Sequence, residues 1–168
     1  MPTLREIQQP IKERYRDEPD AARITLRASG STTESAMSCS VDIGRAIYAA
    51  QAHVGVGGAG TAACSGDLLL GALAACAQLT CQMVAANMGL EGVDVAVDVE
   101  GDLDLRGTLG TADVAVGFES IRVRFTLSGT ADVPADRLER LRERAERYCV
   151  VLQTLLAPPS IEATWADA

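Results

Sequence analysis

Aromatic residues are scarce, two Phe, three Tyr and one Trp in 168 residues. So few rings exclude a stacking platform for single-stranded nucleic acid. Of the 15 cationic residues only Lys12 is a lysine, a bias from which no function is drawn. The cations are outnumbered by 23 acids, which leaves a net charge of −8. A nucleic-acid binder needs a basic face, so that class of partner is not expected. Histidine occurs once, as His53, and no CxxC is present. Cys76 and Cys81 lie about 140° apart round a helix and share no face. Neither a metal nor a cofactor is therefore expected. The first 20 residues have no apolar stretch, being broken by Arg5, Glu6, Lys12, Glu13, Arg14, Arg16, Asp17, Glu18 and Asp20. Without an export signal, the expected location is cytoplasmic. Five cysteines, an odd number in a chain not expected to be exported, argue against a structural disulfide framework.

What is present is an ordinary globular composition, 48% apolar and 23% charged. No repeat or linker interrupts it, so residues 1–168 are read as one domain. Leu68 to Leu90 carries no charge and is long enough for a membrane span. Gln78, Thr80, Gln82, Asn87 and many alanines weaken it, and it has no aromatic belt or cationic flanks. A helix buried in the core, partly covered by a subunit interface, is expected instead. Ser65 or Asp67 is placed to cap its start and Gly89 to end it.

Residues 3–17 form an expected charged helix, 23–28 a strand, and 29–33 a turn. Met37, Cys39 and Val41 alternate as a second strand with Cys39 inward, and residues 44–53 are ambiguous. Gly55, Gly57 and Gly60 formally match GxGxxG. No clear strand precedes them and no acid follows at the ribose position, so a flexible turn is the better reading. Val93, Val95, Val97 and Val99 alternate with polar residues, as do Ile121, Val123, Phe125 and Leu127, giving two half-buried strands. Pro134 opens a second helix with the stripe Leu138, Leu141, Ala145, Cys149 and Leu152, expected to run to Ala157-Pro158-Pro159. Ile161, Ala163 and Trp165 suggest a last short strand. The fold class is α+β, antiparallel sheet segments around two helices.

Cys76 lies in the middle of the long helix and Cys149 on the stripe of the second. A thiol on the apolar side of a helix is most often a small hydrophobe. To react, it must be a thiolate, which needs hydrogen-bond donors or cations from elsewhere in the fold. A second thiol nearby suits peroxide reduction through a sulfenic acid.

The segment Cys64-Ser65-Gly66-Asp67 through Cys76 to Thr80 resembles the central-helix motif of the OsmC/Ohr family, the osmotically inducible and organic hydroperoxide resistance proteins. Ala145-Glu146-Arg147-Tyr148-Cys149 through Leu155 resembles that family's second cysteine motif. His53 ahead of Gly57-Gly58 is similar to its approach to the helix, and 100–110 is similar to a loop of one OsmC-like subgroup. The resemblance covers roughly residues 11–165 in the family's order. It implies an OsmC-like fold and an intertwined homodimer with the active sites at the subunit interface. It also implies a cysteine-based peroxidase acting on organic hydroperoxides. Cys76 would be the peroxidatic thiolate and Cys149 the resolving thiol, with an external dithiol as reductant. The family's Glu ten residues before the first cysteine is Gly66 here, and the neighbouring Asp67 either stands in for it or is only a cap. The activating cation of the family has no direct match. His53, Arg45 and Arg106 are the residues that could serve.

Two alternatives belong beside this reading. One is a non-catalytic dimer of the same fold that binds a small apolar ligand at its interface. The other is a thiol-dependent hydrolase or transferase, for which His53 is the only base.

Overall fold

The computed structural model describes residues 47–90 and 92–166, the strand backbones at 29–32 and 38–42, and residues 6, 8–10, 12 and 17. Arg45, the expected strand at 23–28 and the side chain of Cys39 lie outside the described residues. Residues 6, 8–10, 12 and 17 are helical, as expected for 3–17. The chain divides into two compact units, one running to Gly71 and including Asp98–Arg124, the other made of Ala72–Val97 and the residues from Phe125 onward.

The first unit holds β1 (Ser29–Thr32), β2 (Ser38–Asp42) and β3 (Ile47–Gln51), an antiparallel sheet in that order. Gly30 pairs with Val41, and Cys39 with Ala50. The turn expected at 29–33 is therefore a strand. Ser, Gly and Thr read locally as turn residues, but pairing along β2 satisfies their backbone groups and overrides composition. β3 settles the ambiguous stretch; Ile47, Tyr48 and Ala49 are all exposed, so no alternation marked it. The Gln51 side chain then closes the glycine-rich loop, donating to Thr61 Oγ1 at 2.8 Å and accepting from the Thr61 N–H at 3.2 Å. His53 caps a short 3-10 turn at Val54–Val56.

Helix α1 (Ser65–Asn87) starts in the first unit and continues in the second. Neither Ser65 nor Asp67 is its N-cap. Cys64 holds that place, and Asp67, three residues on, accepts the Cys64 N–H at 2.8 Å, one half of a capping box. At the other end Gly89 has φ +65°, and the Leu90 N–H reaches Ala85 O at 2.9 Å while the Gly89 N–H reaches Ala86 O at 3.0 Å. That is a Schellman ending, with Leu90 buried beside Ala85. The Arg137 side chain donates to the Met88 carbonyl, another group left free by the ending.

β4 (Asp94–Leu103) and β5 (Phe118–Ser128) form a two-stranded sheet, joined through the helical turn α2 (Leu105–Thr108). Their valines and alternate apolar residues are half-buried and the intervening charges exposed, as the sequence pattern predicts. The core of the second unit gathers Cys81, Ala85, Leu90, Val93, Leu141 and Ala145, with Phe125 and Leu127 packed against them. α3 (Ala135–Tyr148) supplies Leu141 and Ala145, with Pro134 as its N-cap rather than inside its first turn.

Three expectations call for comment. The first is α1, which a single chain buries on one side only. Its buried residues are Leu73, Ala77, Thr80, Cys81 and Ala85, one stripe only, because the core covers one side of the cylinder. Leu79 stays 57% exposed and Met83 40%. Among the described residues it is one helix long and apolar enough to cross a membrane. Second, the helix after Pro134 does not run through Cys149. That residue turns extended, with ψ 103°, and a separate helix α4 (Val150–Leu156) follows. Third, Ile161, Ala163 and Trp165 form no strand. Ile161 is 87% and Trp165 96% exposed, and no strand among the described residues pairs with them.

Candidate functional site

The break at Cys149 creates the most chemically distinctive feature of the second unit. No Pro or Gly causes it. The Gln153 side chain donates to the Glu146 carbonyl at 3.1 Å, which also accepts the Cys149 N–H at 3.4 Å. The Cys149 carbonyl accepts the Gln153 N–H at 2.9 Å, the first bond of α4. The N–H groups of Val150 and Val151 have no partner within their own helix, and both act on the sulfur of Cys76 on α1, pulling its thiol down.

Cys76 is half-buried and Cys149 fully buried. Burial alone pushes the Cys76 thiol up. The Val151 N–H, the Cys149 thiol, the Thr80 hydroxyl and the Val150 N–H together outweigh it, so Cys76 sits below the ordinary thiol range. Cys149 moves the opposite way. Burial raises it, and the Cys76 sulfur adds to the rise by hydrogen bond and by charge, against the N–H groups of Leu152 and Val151. The two thiols are thus shifted in opposite directions, Cys76 down and Cys149 up, the polarity that nucleophilic attack followed by resolution requires. Thr80 went unnoticed as a donor in the sequence. Its signal is the i, i+4 spacing from Cys76 on one helix face.

In the first unit, His53 and Asp67 line an open cleft of about 780 Å³ together with Cys64, Leu70, Leu103 and Phe118. His53 Nδ1 accepts the Gly55 N–H at 3.0 Å. Asp67 receives the backbone N–H and the thiol of Cys64, which, with His53, hold its carboxyl below the usual range against a small burial effect. Each member of a Cys64–His53 pair thus has its hydrogen bond with another residue, and nothing here favours the hydrolase reading. Gly66, the position of the family's Glu, is tightly placed: a Cβ there would stand 3.3 Å from the Phe118 ring, which would have to shift slightly. The same ring lies over Gly101, where a Cβ would come within 2.6 Å. Arg106 is engaged by Asp104, whose carboxylate takes its Nε at 3.0 Å. The structure therefore brings Cys76 and Cys149 together and sets His53 and Asp67 on one cleft, while Arg45 lies outside the described residues. Among the described residues no group of three His, Cys, Asp or Glu side chains is placed to hold a metal ion.

A family model described as OsmC-like protein matches residues 58–164. The chain belongs to the OsmC-like family. That match spans both cysteine motifs and both sheet strands β4 and β5. The OsmC-like protein of Mycoplasma pneumoniae is 15% identical and superposes with a TM-score of 0.65, over 80% of this chain and 89% of that one. An organic hydroperoxide resistance protein OsmC from Legionella pneumophila, described as a predicted redox protein and regulator of sulfide bond formation, is 18% identical. It gives a TM-score of 0.56 over 81% and 92% of the two chains. The organic hydroperoxide resistance protein OhrB of Bacillus subtilis is 17% identical, with a TM-score of 0.51 over 80% and 93%. No curated protein matches by sequence. The α+β fold of this OsmC-like protein is the one its sequence resembles, and some of its structural neighbours are organic hydroperoxide resistance proteins.

Proposed function

We propose that this OsmC-like protein is a thiol peroxidase that reduces organic hydroperoxides. The observation that carries the reading is the Cys76–Cys149 contact, in which hydrogen-bond donors pull the first thiol down and burial pushes the second up. The Cys76 thiolate attacks one oxygen of ROOH, and the O–O bond breaks. Cys76 becomes a sulfenic acid, and the leaving alkoxide takes a proton from solvent to give the alcohol ROH. The Cys149 thiol, already beside it, displaces hydroxide, which leaves as water once protonated, and a Cys76–Cys149 disulfide forms. An external dithiol exchanges with that disulfide, restoring both thiols and becoming a disulfide itself. The setting is the reducing cytoplasm, which supplies such dithiols and suits the free Cys64 and Cys81.

The working unit of the proposal is a homodimer. Supporting it is the exposed apolar side of α1, where Leu79 and Met83 lie open in a single chain. His53 and Asp67 are carried as candidate site residues in that dimer. A second reading keeps the dimer without the chemistry. The cleft lined by Leu70, Leu103 and Phe118 would then hold a small apolar ligand, and its support is the tied-up state of Asp67 and the glycine at position 66.

One experiment separates them. Thiols are counted before and after one equivalent of cumene hydroperoxide in wild type, Cys76→Ser and Cys149→Ser. Rapid loss of two thiols in wild type is expected, none in Cys76→Ser, and a trapped sulfenic acid in Cys149→Ser. Thiol loss no faster than free cysteine would overturn the peroxidase and leave the ligand-binding reading.

A further inference from the structure

Nothing in the local sequence forces the chain to break at Cys149. Residues 138–156 hold neither proline nor glycine. The stripe Leu138, Leu141, Ala145, Cys149 and Leu152 runs through the break at helical spacing. One continuous helix is therefore the competing conformation. In it Cys149 would have ψ near about −42°, and the Glu146 carbonyl would accept the Val150 N–H, four residues on. The structure has ψ 103° at Cys149 instead. The Glu146 carbonyl is filled without Val150, by the Cys149 N–H at 3.4 Å and by the Gln153 side chain at 3.1 Å. A carbonyl oxygen has two lone pairs, so none is left for the helix to close on. Gln153 also gives its backbone N–H to the Cys149 carbonyl at 2.9 Å. One residue thus holds a carbonyl ahead of the cysteine and the cysteine's own.

The place of the break matters to the chemistry. A disulfide needs its two Cα atoms within about 4.4–6.8 Å. A cysteine in the middle of a helix is tied by the hydrogen-bond ladder on both sides and cannot shift to meet that demand. A cysteine at a hinge turns about its own backbone bonds. Resting on the peroxidase reading, we propose that Gln153 is a positioning residue for the resolving step. Its side-chain amide stands in for the Val150 N–H on the Glu146 carbonyl, and so keeps Cys149 at a hinge between two helices, free to close onto Cys76.

The test is the rate at which the Cys76–Cys149 disulfide closes in the reduced full-length protein, read at the joined peptides by mass spectrometry. Diamide drives it: the azo group takes two electrons and two protons from the thiol pair and becomes a hydrazine as the S–S bond forms. Gln153→Leu closes the disulfide about two- to tenfold more slowly. With cumene hydroperoxide the same variant forms the Cys76 sulfenic acid at the wild-type rate, and the acid lasts long enough for dimedone to trap it. A loss of stability alone would not split the two steps. Adding Val150→Pro restores wild-type closing. A proline there has no N–H for Glu146 and its ring clashes with that carbonyl, which forbids the continuous helix, while the first position of α4 accepts it. Gln153 is exposed and Val150 is 71% exposed, so neither change opens the core. Gln153→Glu, the same shape without the N–H, carries the expectation if the leucine variant does not fold. Wild-type closing in the folded variant, slow closing that Val150→Pro fails to restore, or a wild type that diamide does not close would overturn the role. Diamide needs no peroxide, so a wild type that ignores hydroperoxide counts against the peroxidase and leaves the Gln153 result readable.

Discussion

Cys76 and Cys81 lie five residues apart on α1, and the two sides of the helix treat them in opposite ways. Cys81 packs among Ala85, Leu141 and Ala145, where burial is the whole of its environment and drives its thiol up. Cys76 is half-buried and is also driven up by burial, yet ends low because four donors converge on it. The difference teaches that an apolar helix face does not decide whether a cysteine is inert. What decides is whether backbone N–H groups or hydroxyls from elsewhere reach the sulfur. Here the decisive donors exist because the chain breaks at Cys149.

The largest effect that would sharpen the comparison is the loss of chemistry. Cys76→Ser abolishes hydroperoxide-driven thiol loss, while Cys81→Ala keeps the wild-type rate, both followed by thiol titration. If Cys81→Ala lost the activity as well, the two sides of the helix would not be distinct. Next is the core that shields Cys81. Leu141 is fully buried, and Leu141→Ala costs about 2–5 kcal/mol in urea unfolding. The same variant exposes Cys81 to alkylation first, before it alters Cys76; simultaneous labelling of both thiols would blur the contrast.

A smaller shift comes from the partner thiol. Cys149→Ala removes a donor from Cys76 and raises the midpoint of its alkylation by about one pH unit, whereas Cys149→Ser keeps a donor and shifts it less. The sign follows from the lowered Cys76 and raised Cys149: raising pH charges Cys76 before Cys149. An alkylation profile in which Cys149 reacts at the lower pH would reverse the assignment. The smallest effect is at the break itself. Gln153→Ala gives up one side-chain hydrogen bond to the Glu146 carbonyl, worth about 0.5–1.5 kcal/mol in urea unfolding. A null result would mean that the α3–α4 junction is held by other contacts.

Much of the fold was legible in periodicity. The valine alternation of β4, the Ile121–Leu127 alternation of β5 and the stripe from Leu138 to Leu152 all describe what is buried. Gly89 announced the end of α1 because only a left-handed residue fits that ending. β1 was hidden by its own composition, since Ser29-Gly30-Ser31-Thr32 has turn chemistry and becomes a strand only through pairing with β2. The tail from Ile161 to Trp165 shows the converse, strand alternation that joins no ladder among the described residues.

At the site, residue types and order pointed to Cys76 and Cys149 only through family resemblance, because seventy-odd residues separate them and no spacing rule links them. The break at Cys149 was not legible. It carries neither proline nor glycine, and it is held by a glutamine four residues later and by the sulfur that its freed N–H groups meet. Asp67 was legible as a helix-start residue, though its role is that of the third helical position and not the cap.

The central claim is that Cys76 is a thiolate at neutral pH. The most direct measurement is the rate of Cys76 alkylation at pH 7 in the native reduced protein, set against the same peptide in the denatured chain. A native thiolate reacts faster than its denatured counterpart, whose thiol ionises near about 8.5. A native rate equal to or below the denatured one would contradict the claim and return Cys76 to the company of Cys81.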